Sequence, residues 1–289
     1  MSSREADTGR ARRGRGPRRV ALAVTVVAGT LLMSGCTTAD GRRMGFPVGI
    51  TSDSDRVTKL WQGAWIAALA VGVVVWGLIV YAIIAYRRRG NEMPAQTRYN
   101  MPIEALYTIM PVVIVGVLFF YTARDEAAIL KKPAVVDAKV KVIGYRFAWT
   151  FAYSDPNNRF TPVYDVGTNQ VLPELWVPQG ESMEYELQSN DVIHSFWVPT
   201  YLFKMDVVPG RDNTFYKTAT TTGTYRGRCS ELCGINHPNM LFTLRVVTPA
   251  DYLTHMADLK ARGQTGDPRG HLSTTYDPNR NIAEARTSE

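Results

Sequence analysis

Two stretches without a charged residue, Leu60 to Tyr86 and Ala105 to Ala123, decide most of what this chain can fold into. At about 1.5 Å of rise per residue, the first makes roughly 40 Å of helix, more than the about 30 Å of hydrocarbon in a bilayer. The second is just long enough to span, with Pro111 inside it. Trp61 and Trp65 near one end of the first run and Tyr81 and Tyr86 near the other suit aromatic belts. Arg87, Arg88 and Arg89 assign the following end to the cytoplasm by the positive-inside rule. Helices over 60–86 and 105–123 therefore form a transmembrane hairpin with a cytoplasmic loop at 87–104. Arg124 and Asp125 are expected to end the second helix on the outer face, leaving everything beyond them extracytoplasmic.

Glu104 stands at the cytoplasmic mouth of the second helix. An ionisable group beside hydrocarbon is a functional candidate, although a carboxylate in a first helical turn is also stabilised simply by the helix dipole.

The net charge of +7 over 289 residues invites a nucleic-acid reading, but seven arginines against Glu5 and Asp7 within residues 1–35 supply +5 of it, leaving +2. No basic groove motif remains, and nucleic acid is not expected as a partner. That first segment has an Arg-rich start, an apolar run from Val20 to Met33 too short to span, and Ser34-Gly35-Cys36. Residues 1–35 read as a cleaved signal peptide, the alternative being an uncleaved anchor with an incidental Cys36. Its end resembles a bacterial lipoprotein signal, in which Cys36 would be lipidated and become the mature N-terminus, although Met33 occupies the usual leucine position. Residues 36–59 then form a polar extracytoplasmic segment, and both mature termini lie outside the cell.

Between 134 and 248 the pattern turns to short β-rich runs, at Val135–Ile143, Phe147–Tyr153, Glu174–Val177, Ser182–Gln188, Thr214–Thr218 and Met240–Val247. Pro156-Asn157, Pro178 to Gly180 and Pro209-Gly210 punctuate them, as expected of a β-sandwich or barrel. Within 249–289, Ala250 to Arg262 suits a helix and the rest is a polar tail.

Three cysteines exclude a multi-disulfide scaffold. Cys229 and Cys233 lie in the stretch RCSELCGINHPNM, Arg228 to Met240, with His237 and Met240 beyond them and His194 upstream. Two thiolates, imidazole and a thioether are soft or borderline ligands that together point to copper. A mononuclear blue-copper site uses one Cys. Two Cys with two His fit a pair of copper ions bridged by both thiolates. An extracytoplasmic disulfide and tetrahedral zinc remain as alternatives, but the disulfide leaves His194, Glu231, His237 and Met240 without a role, and zinc leaves Met240 without one. His255 and His271 fit neither arrangement and are expected at the surface.

From about residue 56 to 250 the chain resembles subunit II of haem-copper cytochrome c oxidases, through CSELCGINHPNM and the upstream SNDVIHSFWVPTYLFKMDVVPGR, Ser189 to Arg211. The resemblance implies an all-β cupredoxin domain, a Greek-key sandwich, after the helix hairpin. It implies that His194, Cys229, Cys233, His237 and Met240 hold two copper ions (CuA), with Glu231 joining through its backbone carbonyl. The Glu231 carboxylate would bind Mg or Mn at the boundary with subunit I. Glu104, ahead of Thr108 to Pro111, would mark the entrance of a proton channel of subunit I. Electrons would pass from cytochrome c through the copper pair to haem, which resides only in the partner subunit. Subunits I and III are the implied partners, in the plasma membrane.

In GYRFAWTFAY, Gly144 to Tyr153, Phe147 replaces the family's usual electron-receiving tryptophan and Ala152 an acidic residue. Together with the lipoprotein-like start, this resembles the Gram-positive, actinobacterial type. Its donor would be a membrane-bound cytochrome c domain, in a supercomplex with a cytochrome bc complex. Trp149 is retained, either as an electron-transfer aromatic or as a core residue. Two other readings are a copper-free quinol oxidase subunit II scaffold, which the intact ligand set opposes, and a stand-alone membrane-anchored copper protein, which would need neither Glu104 nor the Glu231 carboxylate.

Overall fold

A computed structural model describes residues 39–91, 93–168, 171–266 and 268. The signal segment 1–35, Cys36, His271 and most of the polar tail lie outside the described residues. Helix α1 is a single turn, Ala39–Arg42. Helix α2, Ser54–Ala85, and helix α3, Met101–Ile129, are long and apolar enough to cross a membrane.

Both long helices outrun their uncharged cores. α2 begins at Ser54 and not Leu60, because the preceding residues are anchored on the β domain. α3 begins at Met101, where the Asn100 side chain accepts a bond from the Ile103 N–H and Glu104 Oε1 accepts one from the Asn100 N–H at 2.8 Å, a reciprocal cap. Arg124 and Asp125 were expected to end α3, yet it continues through them to Ile129. Asp125 is buried against Arg56 of α2 at 2.9 Å and Arg124 at 3.0 Å, so its charge is paired where the helices meet. Along most of their length their apolar side chains are exposed, Val73 and Phe119 among them.

Ten strands follow. They are β1 (Ala138–Tyr145), β2 (Ala148–Ser154), β3 (Val163–Val166), β4 (Glu174–Pro178), β5 (Ser182–Ser189), β6 (His194–Val198), β7 (Phe203–Val207), β8 (Asn213–Thr218), β9 (Gly223–Cys229) and β10 (Leu241–Val247). They form two sheets ordered β3-β2-β1-β5-β8 and β4-β10-β9-β6-β7. The pairs β1–β5 and β4–β10 are parallel, so strands distant in sequence lie side by side in each sheet. In β5, Met183, Tyr185 and Leu187 are buried while Ser182, Glu184 and Glu186 are half-exposed, the period of two that places one face on a core. That core is aromatic, with Phe196 and Phe242 5.0 Å apart and Trp149 5.8 Å from Phe242 between ring centres. The Tyr153 hydroxyl joins the sheets, donating to the Glu174 carbonyl and accepting from the Trp176 N–H.

Four strands, β3, β6, β7 and β9, were not among the runs read from sequence. β6 is buried at four of its five positions and does not alternate. β9 carries Arg226 and Arg228 on its exposed face and glycines at 223 and 227, which depresses its β signal.

The segment from Pro47 to Asp53 straps onto the β domain. Ile50 is buried and donates to the Thr200 carbonyl, Ser52 donates to that of Thr218, and Thr220 returns a bond to Ile50. Helix α4, Pro249–Ala261, is capped by Thr248, whose Oγ1 accepts from the Asp251 N–H, and packs through Tyr252, Met256 and Leu259. The surface placement expected for His255 does not hold. Its ring stacks on Trp176 at 3.9 Å with 9° between planes, and its Nε2 is buried without a hydrogen-bond partner. The helical register that points Tyr252 and Met256 inward carries His255 onto the flank of β4.

Candidate metal centre

The sheet supplies three of the donors by register alone. Cys229 ends β9, paired through Phe196↔Cys229 with the strand that His194 opens, and Met240 directly precedes β10. The Cys229 N–H donates to the Met240 carbonyl at 3.0 Å, and the Ser230 N–H to that of Ser195. Between them the chain loops out and returns through a short turn of helix at His237–Asn239. Gly234 makes this possible with φ at +140°. A side chain there would also strike the Phe147 ring, which a Cβ would approach within 2.8 Å.

The donor atoms form a continuous series. His194 Nδ1 lies 3.9 Å from Cys229 Sγ, which lies 3.9 Å from Cys233 Sγ, which lies 3.6 Å from His237 Nδ1. Met240 Sδ is 3.8 Å from Cys233 Sγ, and the Cys229 thiol donates to the Glu231 carbonyl at 3.2 Å. The five side chains His194, Cys229, Cys233, His237 and Met240 thus lie in one cluster, and the Glu231 carbonyl faces Cys229. The cysteines are free thiols, as metal ligands must be. Two thiols, two imidazoles and a thioether around a largely buried space suit soft cations. The donor atoms of His194, Cys229 and Cys233 all lie within 4.8 Å of one another, and His237 and Met240 approach the cluster from the Cys233 side.

The electrostatics separate the thiols. Burial opposes ionisation of Cys229, but its hydrogen bond with His194 and the backbone hydrogen bonds of Ser195 and Glu231 bring it down to about 7. Burial and the neighbouring Cys229 charge push Cys233 up to about 12. Cys229 therefore gives up its proton more readily than Cys233, and a cation bound to both would displace the remaining proton. His194 is held above its usual value, because bonds to Asp191 and Cys229 outweigh its burial.

Asp191 was not among the residues named from sequence. Its Oδ1 lies 2.8 Å from His194 Nε2, the carboxylate-to-histidine contact that fixes a ligand's tautomer. A carboxylate three residues before the histidine was a readable signal. Burial raises Asp191, yet bonds from His194, Val192 and Arg146 leave it below the usual carboxylate range.

Trp149 is fully buried. Its ring centre lies 6.0 Å from that of His194, and its Nε1 donates to the Met240 carbonyl at 3.4 Å. Glu104 lies far off along the chain, at the N-terminus of α3. The Glu231 side chain is exposed.

Residues 138–247 match the family described as cytochrome c oxidase subunit II, periplasmic domain, and residues 39–124 match its transmembrane domain. The chain is 43% identical to the probable cytochrome c oxidase subunit 2 of Streptomyces avermitilis, over 92% of this chain and 95% of that one. It is 32% identical to cytochrome c oxidase subunit 2 of Mycobacterium tuberculosis, over 84% and 82% respectively. Among solved structures, the periplasmic domain of subunit II of cytochrome oxidase from Bradyrhizobium japonicum superposes with a TM-score of 0.40 at 29% identity, covering 46% of this chain and 98% of that one. The matched helix pair and periplasmic domain make this a membrane protein whose cupredoxin domain is extracytoplasmic, and the chain belongs to the cytochrome c oxidase subunit II family.

Proposed function

We propose that this chain is the subunit through which electrons from a cytochrome c enter a proton-pumping terminal oxidase of the plasma membrane, on their way to haem and oxygen in subunit I. The observation that carries this reading is the unbroken series of donors from His194 through Cys229 and Cys233 to His237, flanked by Met240 and the Glu231 carbonyl. A copper pair bound there would supply reversible one-electron transfer.

The chain's own part is to hold that series still and dry. Cys229 and Cys233 furnish the sulfurs, His194 and His237 cap the two ends, and Met240 and Glu231 close the sides. The backbone bond between Cys229 and Met240 locks strand to loop. Trp149 and Phe196, both buried beneath the site, exclude water and bring an aromatic ring to His194. Rigid, preorganised ligands lower the rearrangement that accompanies a change of oxidation state.

Further roles follow from the family. The exposed Glu231 carboxylate offers hard oxygen to a Mg or Mn ion shared with subunit I, and Glu104 delivers protons toward a channel of that subunit. Subunit III completes the assembly. With Phe147 in place of the tryptophan, the donor is a membrane-bound cytochrome c associated with a cytochrome bc complex. Lipidation at Cys36 adds a second anchor.

The test is copper loading of the full-length chain in detergent. A delocalised two-copper electron paramagnetic resonance signal is expected. A colourless protein or a single-copper spectrum would overturn the reading.

A further inference from the structure

The loop joining β1 to β2 meets the metal centre through charge, and that contact carries an inference resting on the copper reading above. Gly144 pairs with Ser189 where β1 and β5 end together, so the residues that follow each strand face one another. Arg146 thereby reaches Asp191, donating its backbone N–H to Oδ2 at 2.7 Å with its Nε 3.4 Å from the same oxygen. The other oxygen, Oδ1, accepts from the Val192 N–H at 2.7 Å and bonds His194 Nε2 at 2.8 Å. Both carboxylate oxygens are occupied, and the His194 side chain they hold is wholly buried. Gly144 leaves room for the ring, since a Cβ there would stand 3.1 Å from His194 Cδ2. The imidazole thus has one orientation, with Nδ1 toward Cys229 and Nε2–H toward Asp191.

We propose that Asp191 and Arg146 are a charge-compensated positioning pair that sets the reduction potential of the metal centre through His194. A carboxylate hydrogen-bonded to a ligand imidazole increases its electron donation and favours the oxidised, more positive metal. The Arg146 guanidinium on the far side of that carboxylate opposes the effect by its own charge. The two residues act on the centre with opposite sign, which a purely structural brace would not do.

The experiment measures midpoint potentials of the copper-loaded full-length chain in detergent, after the wild-type protein has given its two-copper signal. Asp191→Asn is expected to raise the potential and to weaken copper retention by about 10–100-fold. Arg146→Gln is expected to lower the potential, and Arg146→Lys to restore it toward wild type. Potentials that shift in the same direction for Asp191→Asn and Arg146→Gln, or that do not move, would overturn the proposal. Should Asp191→Asn lose copper altogether, the Arg146 pair decides: a lowered potential in Gln recovered in Lys supports it, and any other pattern rejects it. A wild-type chain without the two-copper signal removes the copper reading and this proposal with it, whereas an intact signal with unresponsive potentials removes this proposal alone.

Discussion

Lys217, buried in β8, forms an ion pair with Asp53, the residue immediately before helix α2. Its ammonium also lies 4.4 Å from the centre of the Phe203 ring, and burial holds it below the ordinary lysine range in spite of Asp53. A membrane helix is thus fastened to the β domain by a desolvated charge pair. Breaking such a pair by removing one partner typically costs about 3–5 kcal/mol, while replacing both with apolar residues is often neutral. Asp53→Ala should therefore destabilise the β domain by about that amount, and the double substitution Asp53→Leu with Lys217→Met should recover most of it. Denaturant unfolding of the full chain in detergent, read as a double-mutant cycle, checks both.

Trp149 combines packing with a hydrogen bond to the Met240 carbonyl. Trp149→Ala should cost about 3–5 kcal/mol, as for other large aromatic truncations. Trp149→Phe should keep most of the stability but, by removing one of the two hydrogen bonds to the Met240 carbonyl, shift the copper absorption bands. If the copper spectrum of Trp149→Phe matches wild type, the indole serves the core alone.

The site was more legible in the sequence than the sheet that supports it. Ligand chemistry is local, since Cys229, Cys233, His237 and Met240 lie within a dozen residues and their types name the metal class. Strand β6 has no such signature, because burial of His194, Ser195, Phe196 and Val198 erases the alternation that marks a one-sided strand. The contact of Arg146 with Asp191 depends on the parallel pairing of β1 with β5, a relationship no local pattern encodes. His255 was misplaced for the complementary reason: a single polar residue in a helix does not announce the aromatic face it will lie against.

That stacked histidine makes the domain sensitive to acid. Burial, aided by the charge of Arg262, depresses His255 to about 4 from the ordinary 6.5. The folded state therefore resists a proton that the unfolded chain accepts, and stability falls as pH drops from about 6.5 toward 4, with no further loss from this residue below that. His255→Gln should flatten that part of the profile. Thermal unfolding of the full chain in detergent across this range, with the His255 imidazole followed by NMR, checks the midpoint.

Glu104 caps α3 through the Asn100 N–H, and Gln can accept the same bond. Glu104→Gln should thus leave α3 folded and copper reduction intact while slowing proton uptake by the assembled oxidase. Unchanged turnover with unchanged proton uptake would confine Glu104 to capping.

The strap of residues 47–53 grips the β domain at Thr200, just past the end of β6, and at Thr218, the last residue of β8, whereas His194 begins β6. Four steps of strand, about 13 Å at 3.3 Å per residue, separate that first residue from the last one in β6, so the strap and the His194 end of the candidate metal centre sit toward opposite ends of the same strand. If the cysteines hold the proposed copper pair, a tilt at Ile50 would move them, and the gap to the next electron carrier would then depend on how firmly this short segment is held.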